Sequence, residues 1–205
     1  MDRRHEGLRL RAAKVAAAAA ALKRQSGANA PFHLAFLTDA ARAPHPLLVA
    51  RVLPEGSAVI LRDYRMPGRA GLAAQLKSVC AARGVRLIVG ADVGLARRIG
   101  ADGVHVPRWF SPAAALDGLI VTAAAHDGQE LARGKALGAD LALLSPAFPT
   151  GSHSGAGALG SAEFRALAQA SPLPVLALGG VDETNAARLT GPNVAGLAAI
   201  GAFLG

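Results

Sequence analysis

Residues Pro174–Glu183 read PVLALGGVDE. Val175–Leu178 is a short apolar strand, Gly179-Gly180 a turn, and Asp182 a residue able to cap a following helix. Paired glycines straight after a strand let the backbone approach a ligand closely, because no Cβ stands in the way. N–H groups left unpaired at such a turn attract a phosphate. The same pair also serves as an ordinary tight turn, so the local signal decides nothing alone. An echo downstream gives it meaning: Asn193–Gly201, NVAGLAAIG, is another apolar strand ending in a small-residue turn. Two successive strand ends with glycine turns are how a (β/α)8 barrel holds phosphate at its last two strands.

Upstream, apolar β-type runs recur at His33–Thr38, Ala58–Arg62, Val85–Val89, Gly103–Val106, Leu119–Ala123 and Leu141–Leu144, ahead of Val175–Leu178 and Val194–Ala199. Helical stretches separate most of them: Pro46–Leu53, Gly71–Arg83, Val93–Ile99, Gln129–Leu137, Ser161–Gln169 and Thr184–Leu189. The Arg108–Leu116 link is short and holds Pro112, so its helix signal is the weakest. The strand runs lack polar–apolar alternation, as expected when both faces of a parallel sheet are buried. Eight such strands predict an α/β fold, a closed (β/α)8 TIM barrel over residues 31–205, rather than an open doubly wound sheet. Gly-Ala-Asp recurs at Gly100–Asp102 and Gly138–Asp140, where helices end and strands begin. That places it on the barrel's stability face, a structural device and not an active-site motif.

The first 30 residues read differently. Leu8–Arg24, LRLRAAKVAAAAAALKR, is alanine-rich and strongly helical by propensity, and Gln25–Pro31 reads as a linker. A basic start and small-residue middle resemble a cleaved targeting segment. The middle lacks a leucine-rich apolar core, however, and Lys23-Arg24 follow it directly. A cytoplasmic helix is the better reading. Only Gly201–Gly205 follow the eighth strand, too few for the usual closing helix. An uncovered strand flank would lose hydrophobic burial, so Leu8–Arg24 is expected to lie there.

At 205 residues, 52% hydrophobic and 18% charged, the chain can bury a large core and is not disordered. No apolar run reaches a membrane span. Cys80 is the only cysteine, which excludes a disulfide framework and a cysteine-rich metal site and suits a reducing cytoplasm. A net charge of +8 favours anionic ligands. Its basic residues are scattered and no nucleic-acid module is visible, so neither nucleic acid nor membrane is expected as a partner. A homodimer is left open.

The order of these motifs resembles the thiamine phosphate synthase and thiazole tautomerase superfamily, from about Leu34 to Phe203. LAFLTD (Leu34–Asp39) resembles that family's first strand and ADGVHV (Ala101–Val106) its fourth. GADLALLSPAFPTGSH (Gly138–His153) resembles the sixth strand and its loop, and ALGGV (Ala177–Val181) and GLAAIGAF (Gly196–Phe203) the last two strands. The resemblance implies one of two activities. A synthase joins a pyrimidine pyrophosphate to a thiazole phosphate, with magnesium holding the departing pyrophosphate. A tautomerase isomerises a thiazole carboxylate phosphate without metal. The expected partner is a small phosphorylated heterocycle such as thiazole phosphate.

The thiazole-phosphate half of the pattern is kept. Gly179, Gly180, Ile200 and Gly201 would offer backbone N–H groups to the phosphate, and Thr150 and Ser152 stand where the family has Thr-x-Thr. The pyrophosphate half is mostly replaced. Gln-Leu-Arg-x-Lys has become Ile60-Leu61-Arg62-Asp63-Tyr64, which keeps only Arg62. The Asn-Asp pair has become Gly90-Ala91, and Asp92 would replace the carboxylate only with a shifted loop. Gly-Gln-x-Asp has become Pro107-Arg108-Trp109-Phe110, and the lysine after Thr-x-Thr is His153. Magnesium needs hard oxygen ligands in near-octahedral array. No cofactor is therefore expected, and magnesium only if the synthase reading holds. Trp109 and Phe110 are expected to fill the space a pyrimidine would take, and His153 and Trp109 to contact substrate.

His126, in TAAAHD, ends the fifth strand at the place where the tautomerase branch moves a proton. The synthase branch also carries a histidine there, and no partner acid or base is evident beside it. Ala124 replaces the family's serine two residues before. His126 and Arg62 are the candidate catalytic residues, and His105 is read as structural. Three functions remain open: a synthase with an unusual site, a metal-free isomerase using His126, and a non-catalytic phosphate-ligand binder or regulatory pseudoenzyme.

Overall fold

The computed structural model describes residues 3–150 and 157–204. Its strands are β1 (Leu34–Leu37), β2 (Ala58–Leu61), β3 (Arg86–Gly90), β4 (Gly103–Val106), β5 (Ile120–Ala125), β6 (Leu141–Leu144), β7 (Val175–Ala177) and β8 (Val194–Ala199). All pair in parallel and in chain order, and β8 pairs back to β1, so the sheet closes into a barrel. Seven of the eight are buried along all or nearly all their length, with only Arg86 at the start of β3 part-exposed among them; in β5, Ile120 and Ala124 are part-exposed. That is why they read as continuous apolar runs. The helices are α1 (Arg3–Ser26), α2 (Pro46–Val52), α3 (Arg69–Ala82), α4 (Val93–Arg98), α5 (Gly128–Ala136) and α6 (Gly160–Ala170).

Helix α1 packs chiefly against β8, and also touches β1, α2 and the short 3-10 turns at Ala186–Leu189 and Gly201–Phe203. Ala12, Val15, Ala19 and Leu22 are its buried face, spaced by three and four residues as one side of a helix requires. Arg11 reaches the carbonyl of Leu204, and Thr190 Oγ1 donates to Gln25 Oε1 at 2.8 Å. The expected cover of the strand flank is therefore observed.

Two expected helices are absent. Residues 107–119 form a loop, which Arg97 Nη2 holds by donating to the carbonyls of Ala115 (3.0 Å) and Asp117 (3.3 Å). Pro112 removes a donor that a helix would need there. After β7, only the 3-10 turn Ala186–Leu189 forms. Asp182 Oδ1 accepts from the amides of Thr184 (2.8 Å) and Asn185 (3.2 Å) and from the Thr184 hydroxyl. These local bonds favour a turn over a full helix.

The Gly-Ala-Asp repeats do the same job twice at one end of the barrel. Asp102 accepts the Leu87 amide at the start of β3, and Asp140 the Val121 amide at the start of β5, each at 2.8 Å. The opposite end, where the strands finish, is left for the site. Among the described residues no helix is long and apolar enough to cross a membrane.

Candidate functional site

The ends of β6, β7 and β8 enclose a cavity of roughly 270 Å³, lined by Thr150, Gly179, Gly180, Ile200, Gly201 and Arg62 among others. Sequence reasoning had named all six. Gly179 and Gly180 both take positive φ, at 88° and 64°, a backbone that side-chain-bearing residues rarely adopt. Space also demands glycine. A Cβ at Gly180 would lie 2.5 Å from the Pro149 carbonyl oxygen, and one at Gly179 3.0 Å from Pro146. The β6 loop is zipped onto this turn, Ala147 N–H donating to Leu178 O at 2.9 Å and Phe148 N–H to Gly179 O at 3.0 Å. Among the described residues the Gly179 and Gly180 amides have no acceptor, so they are available to an anion. Ser152 and His153 lie outside the described residues.

Arg62 enters this cavity beside Arg42, which sequence reasoning did not single out. Both guanidinium groups meet one oxygen of Asp39: Arg42 by Nη2 at 2.7 Å and Nε at 2.9 Å, Arg62 by Nη2 at 2.9 Å. Burial would raise the Asp39 pKa, but the Arg42 hydrogen bonds and the two positive charges hold it below the usual carboxylate range. Two cations thus share one carboxylate oxygen near the glycine turns. Asp182 also lines the cavity, and its Oδ1 is occupied by the local turn already described.

The ends of β2, β3 and β4 are built differently. Tyr64 lies over Gly90: a Cβ there would sit 2.8 Å from Tyr64 Cε1 and 2.9 Å from the Leu61 carbonyl oxygen. Arg69, at the start of α3, has its Nη2 on the carbonyls of Gly90 (2.5 Å) and Leu61 (3.3 Å), with Nη1 3.5 Å from Asp92 Oδ2. Trp109 stands edge-on to Tyr64, with ring centres 5.1 Å apart, and is 63% exposed. It therefore does not plug the barrel end as expected. A cavity of roughly 600 Å³ remains, lined by Tyr64, Arg65, Arg69, Gly90, Ala91, Asp92 and Trp109. Phe110 instead packs against the core, in a tight turn in which its amide bonds back to Pro107 O.

Magnesium does not fit this donor set. Gly90, Ala91 and Phe110 offer no side-chain oxygen. Asp92 is committed as the N-cap of α4, Oδ1 accepting the Leu95 amide at 2.8 Å, with Arg69 beside its other oxygen. Among the described residues no group of three His, Cys, Asp or Glu side chains is placed to hold a metal ion.

His126 directly follows β5 and is not among the residues that line the glycine cavity, although Ser145, which is, donates its amide to the neighbouring Ala125 carbonyl at 3.0 Å. The partner that sequence reasoning missed is Glu130, one helical turn on. Its Oε2 lies 2.7 Å from His126 Nδ1 and accepts the His126 amide at 2.9 Å, while Oε1 pairs with Arg108 Nε at 3.2 Å. Asp127 caps α5 by accepting the Glu130 amide at 2.8 Å, and Asp127-x-x-Glu130 has the spacing of a capping box. That spacing was the readable signal. His105 is buried in β4, with Nδ1 2.9 Å from Thr122 Oγ1. Burial, and secondarily the Arg62 charge, push its pKa down to about 4, so it is neutral near pH 7. This agrees with a structural role.

Known proteins place this geometry. Residues 34–203 match the sequence profile of the thiamine monophosphate synthase family. The thiamine-phosphate synthase of Methanoculleus marisnigri is 33% identical over 167 residues, covering 77% of this chain and 79% of its own. That of Methanocella arvoryzae is 33% identical over 169 residues, covering 78% and 80%. Among solved structures, a thiamine phosphate pyrophosphorylase from Pyrococcus furiosus superposes with a TM-score of 0.69 at 24% identity, covering 82% of this chain and 85% of that one, a likeness of fold. With a family profile spanning the barrel from β1 to the turn after β8, this chain belongs to the thiamine monophosphate synthase family.

Proposed function

We propose that this protein binds a phosphorylated heterocycle of the thiazole phosphate kind, and acts in thiamine metabolism without magnesium-assisted departure of pyrophosphate. One observation carries the reading: two glycine turns, Thr150 and Arg62 converge on a single cavity of roughly 270 Å³. The phosphate sits over Gly179-Gly180 and Ile200-Gly201, accepting backbone N–H bonds whose direction the chain path sets. The Thr150 hydroxyl adds a donor, and the Arg42–Asp39–Arg62 cluster supplies the neutralising charge. Calorimetric titration with thiazole phosphate in EDTA tests this. The parent should bind, and Gly180→Asp should bind at least a hundredfold more weakly, because bulk and negative charge enter the turn. Equal affinity in a folded Gly180→Asp protein would show that the cradle is misassigned.

A second reading, a metal-free isomerase, is favoured by the 2.7 Å contact between His126 and Glu130. A carboxylate accepting the Nδ1 proton fixes the tautomer whose acceptor lone pair is on Nε2. His126 would then take a proton from one ring position of the ligand and return it at another. NMR in D₂O would show deuterium entering a bound thiazole carboxylate phosphate with the parent and not with His126→Gln. Exchange that survives His126→Gln, or is absent from the parent, leaves the binding role alone.

A further inference from the structure

We propose that Asn185, which is not among the residues lining the glycine cavity, is the positioning residue of the Gly179-Gly180 turn. Its carboxamide locks the backbone that presents the turn's amides. This rests on the phosphate cradle proposed above.

A Gly-Gly pair is the most flexible backbone a chain can have, and holding both residues at positive φ costs conformational entropy. Something must fix it. In a trans peptide the C=O and N–H point in opposite directions, so whatever holds a carbonyl also aims the next amide. Leu178 O and Gly179 O are held by amides of the β6 loop. Gly180 O, the third carbonyl, lies beyond that zipper and accepts instead from Asn185 Nδ2 at 2.8 Å. All three carbonyls are thus taken from within the protein. The amides they aim, those of Gly179, Gly180 and Val181, have no acceptor among the described residues. All three residues line the cavity.

The other bonds of Asn185 point the same way. It occupies the N-cap position of the 3-10 turn Ala186–Leu189, yet its side chain makes no cap bond to that turn. Oδ1 reaches back instead, accepting the Asp182 amide at 3.1 Å, while Asp182 Oδ1 accepts the Asn185 amide at 3.2 Å. This is the reciprocal exchange of a capping box, with no full helix behind it to stabilise. Its product is a carboxamide held at both ends, bridging the last carbonyl of the glycine turn and the second amide beyond it. A ligand that meets a turn already in its bound conformation avoids the cost of ordering it.

The test compares Asn185→Ala with Thr184→Ala in the full-length protein. Thr184 belongs to the same turn, but its hydroxyl holds Asp182, at 2.6 Å, rather than Gly180. Thiazole phosphate and inorganic phosphate are titrated well below the melting temperature, and nitrogen-15 relaxation is measured on the free proteins. Asn185→Ala should weaken both ligands by a similar factor, about tenfold, because the fault lies in the turn and not in ring contacts. Its Gly179 and Gly180 amides should become mobile on the picosecond–nanosecond timescale. Thr184→Ala should lower the melting temperature yet bind within about twofold of the parent, with both glycine amides still rigid. Should Asn185→Ala fail to fold, Asn185→Ser decides it, since serine suits an N-cap but is too short to bridge Gly180 and Asp182. A folded Asn185 variant that binds as the parent does, or no more weakly than Thr184→Ala, overturns the proposal. So does a glycine pair that stays rigid without Asn185. Binding that Gly180→Asp does not impair removes the cradle and this proposal together. Impairment by Gly180→Asp, with parent-like binding by the Asn185 variants, removes this proposal alone.

Discussion

At the β6–β8 end of the barrel the unbonded donors among the described residues lie mainly on the backbone; at the β2–β4 end the polar groups lining the cavity are side chains. The first end needs glycine at two positive-φ positions and a β6 loop laid against them. Any sequence that keeps this chain path keeps the donors. The second end has exchanged the family's polar residues for Tyr64, Gly90, Ala91 and Phe110, and a guanidinium has come to lie on the strand-end carbonyls. Backbone-built sites outlast sequence change because their chemistry is in every residue. Side-chain sites change their ligand when a few residues change.

The largest effect should come from restoring the family's residue at position 90. Gly90→Asn would drive a Cβ into Tyr64 and the Leu61 carbonyl, and should lower stability by about 3 kcal/mol. Chemical denaturation checks this, and a paired Tyr64→Ala should recover part of the loss. No loss in the single variant would mean that the two ends are less differently built than described.

A pH effect comes next, inside β4. His105 has its folded pKa depressed to about 4 against about 6.5 in the unfolded chain. Its neutral form is the folded one, so the unfolded chain binds more protons between these values. Stability is therefore full above about pH 6.5 and falls as the pH drops toward 4, by on the order of 2–3 kcal/mol. His33, also depressed by burial and by Lys23, acts in the same direction. Melting temperatures from pH 7.5 to 4 should fall less steeply in His105→Gln.

Smaller effects sharpen the contrast. Asp39→Asn loosens the two arginines and should weaken thiazole phosphate binding, read by calorimetric titration, about tenfold, or about 1.4 kcal/mol. Glu130→Gln should cost about 1 kcal/mol of stability through the α5 start, as read by the melting temperature. Trp109→Ala should change stability by less than about 0.5 kcal/mol, since the ring is mostly in water, and thiazole phosphate affinity by nothing measurable.

The barrel was legible because buried parallel strands are written as unbroken apolar runs, and six helices lie within a few residues of where periodicity and propensity put them. The two that failed did so through local chemistry: Pro112 in one, the Asp182–Asn185 hydrogen bonds in the other. The glycine cradle was readable because its conformation leaves a mark in residue type. Arg42 and Asp39 were not, because their meaning lies in Arg62, which folding brings from 23 residues beyond Asp39. Arg69 was missed for a similar reason: it looks like any helix-start arginine until Gly90 and Leu61 are placed beneath it. Trp109 was expected to fill the barrel end and instead stands mostly in solvent beside Tyr64, after the turn at Pro107–Phe110.

The α1 contact with β8 joins residues nearly two hundred positions apart, and this has a kinetic consequence. As the chain leaves the ribosome, α1 appears first with Ala12, Val15, Ala19 and Leu22 on an apolar face whose partner has not yet been made. That face waits through the synthesis of seven strands. Closing the β1–β8 seam and docking α1 are therefore late events, with the slow, non-local character of high contact order. A nascent chain stalled before Val194 should offer this helix face, and both open edges of the unfinished sheet, to chaperones.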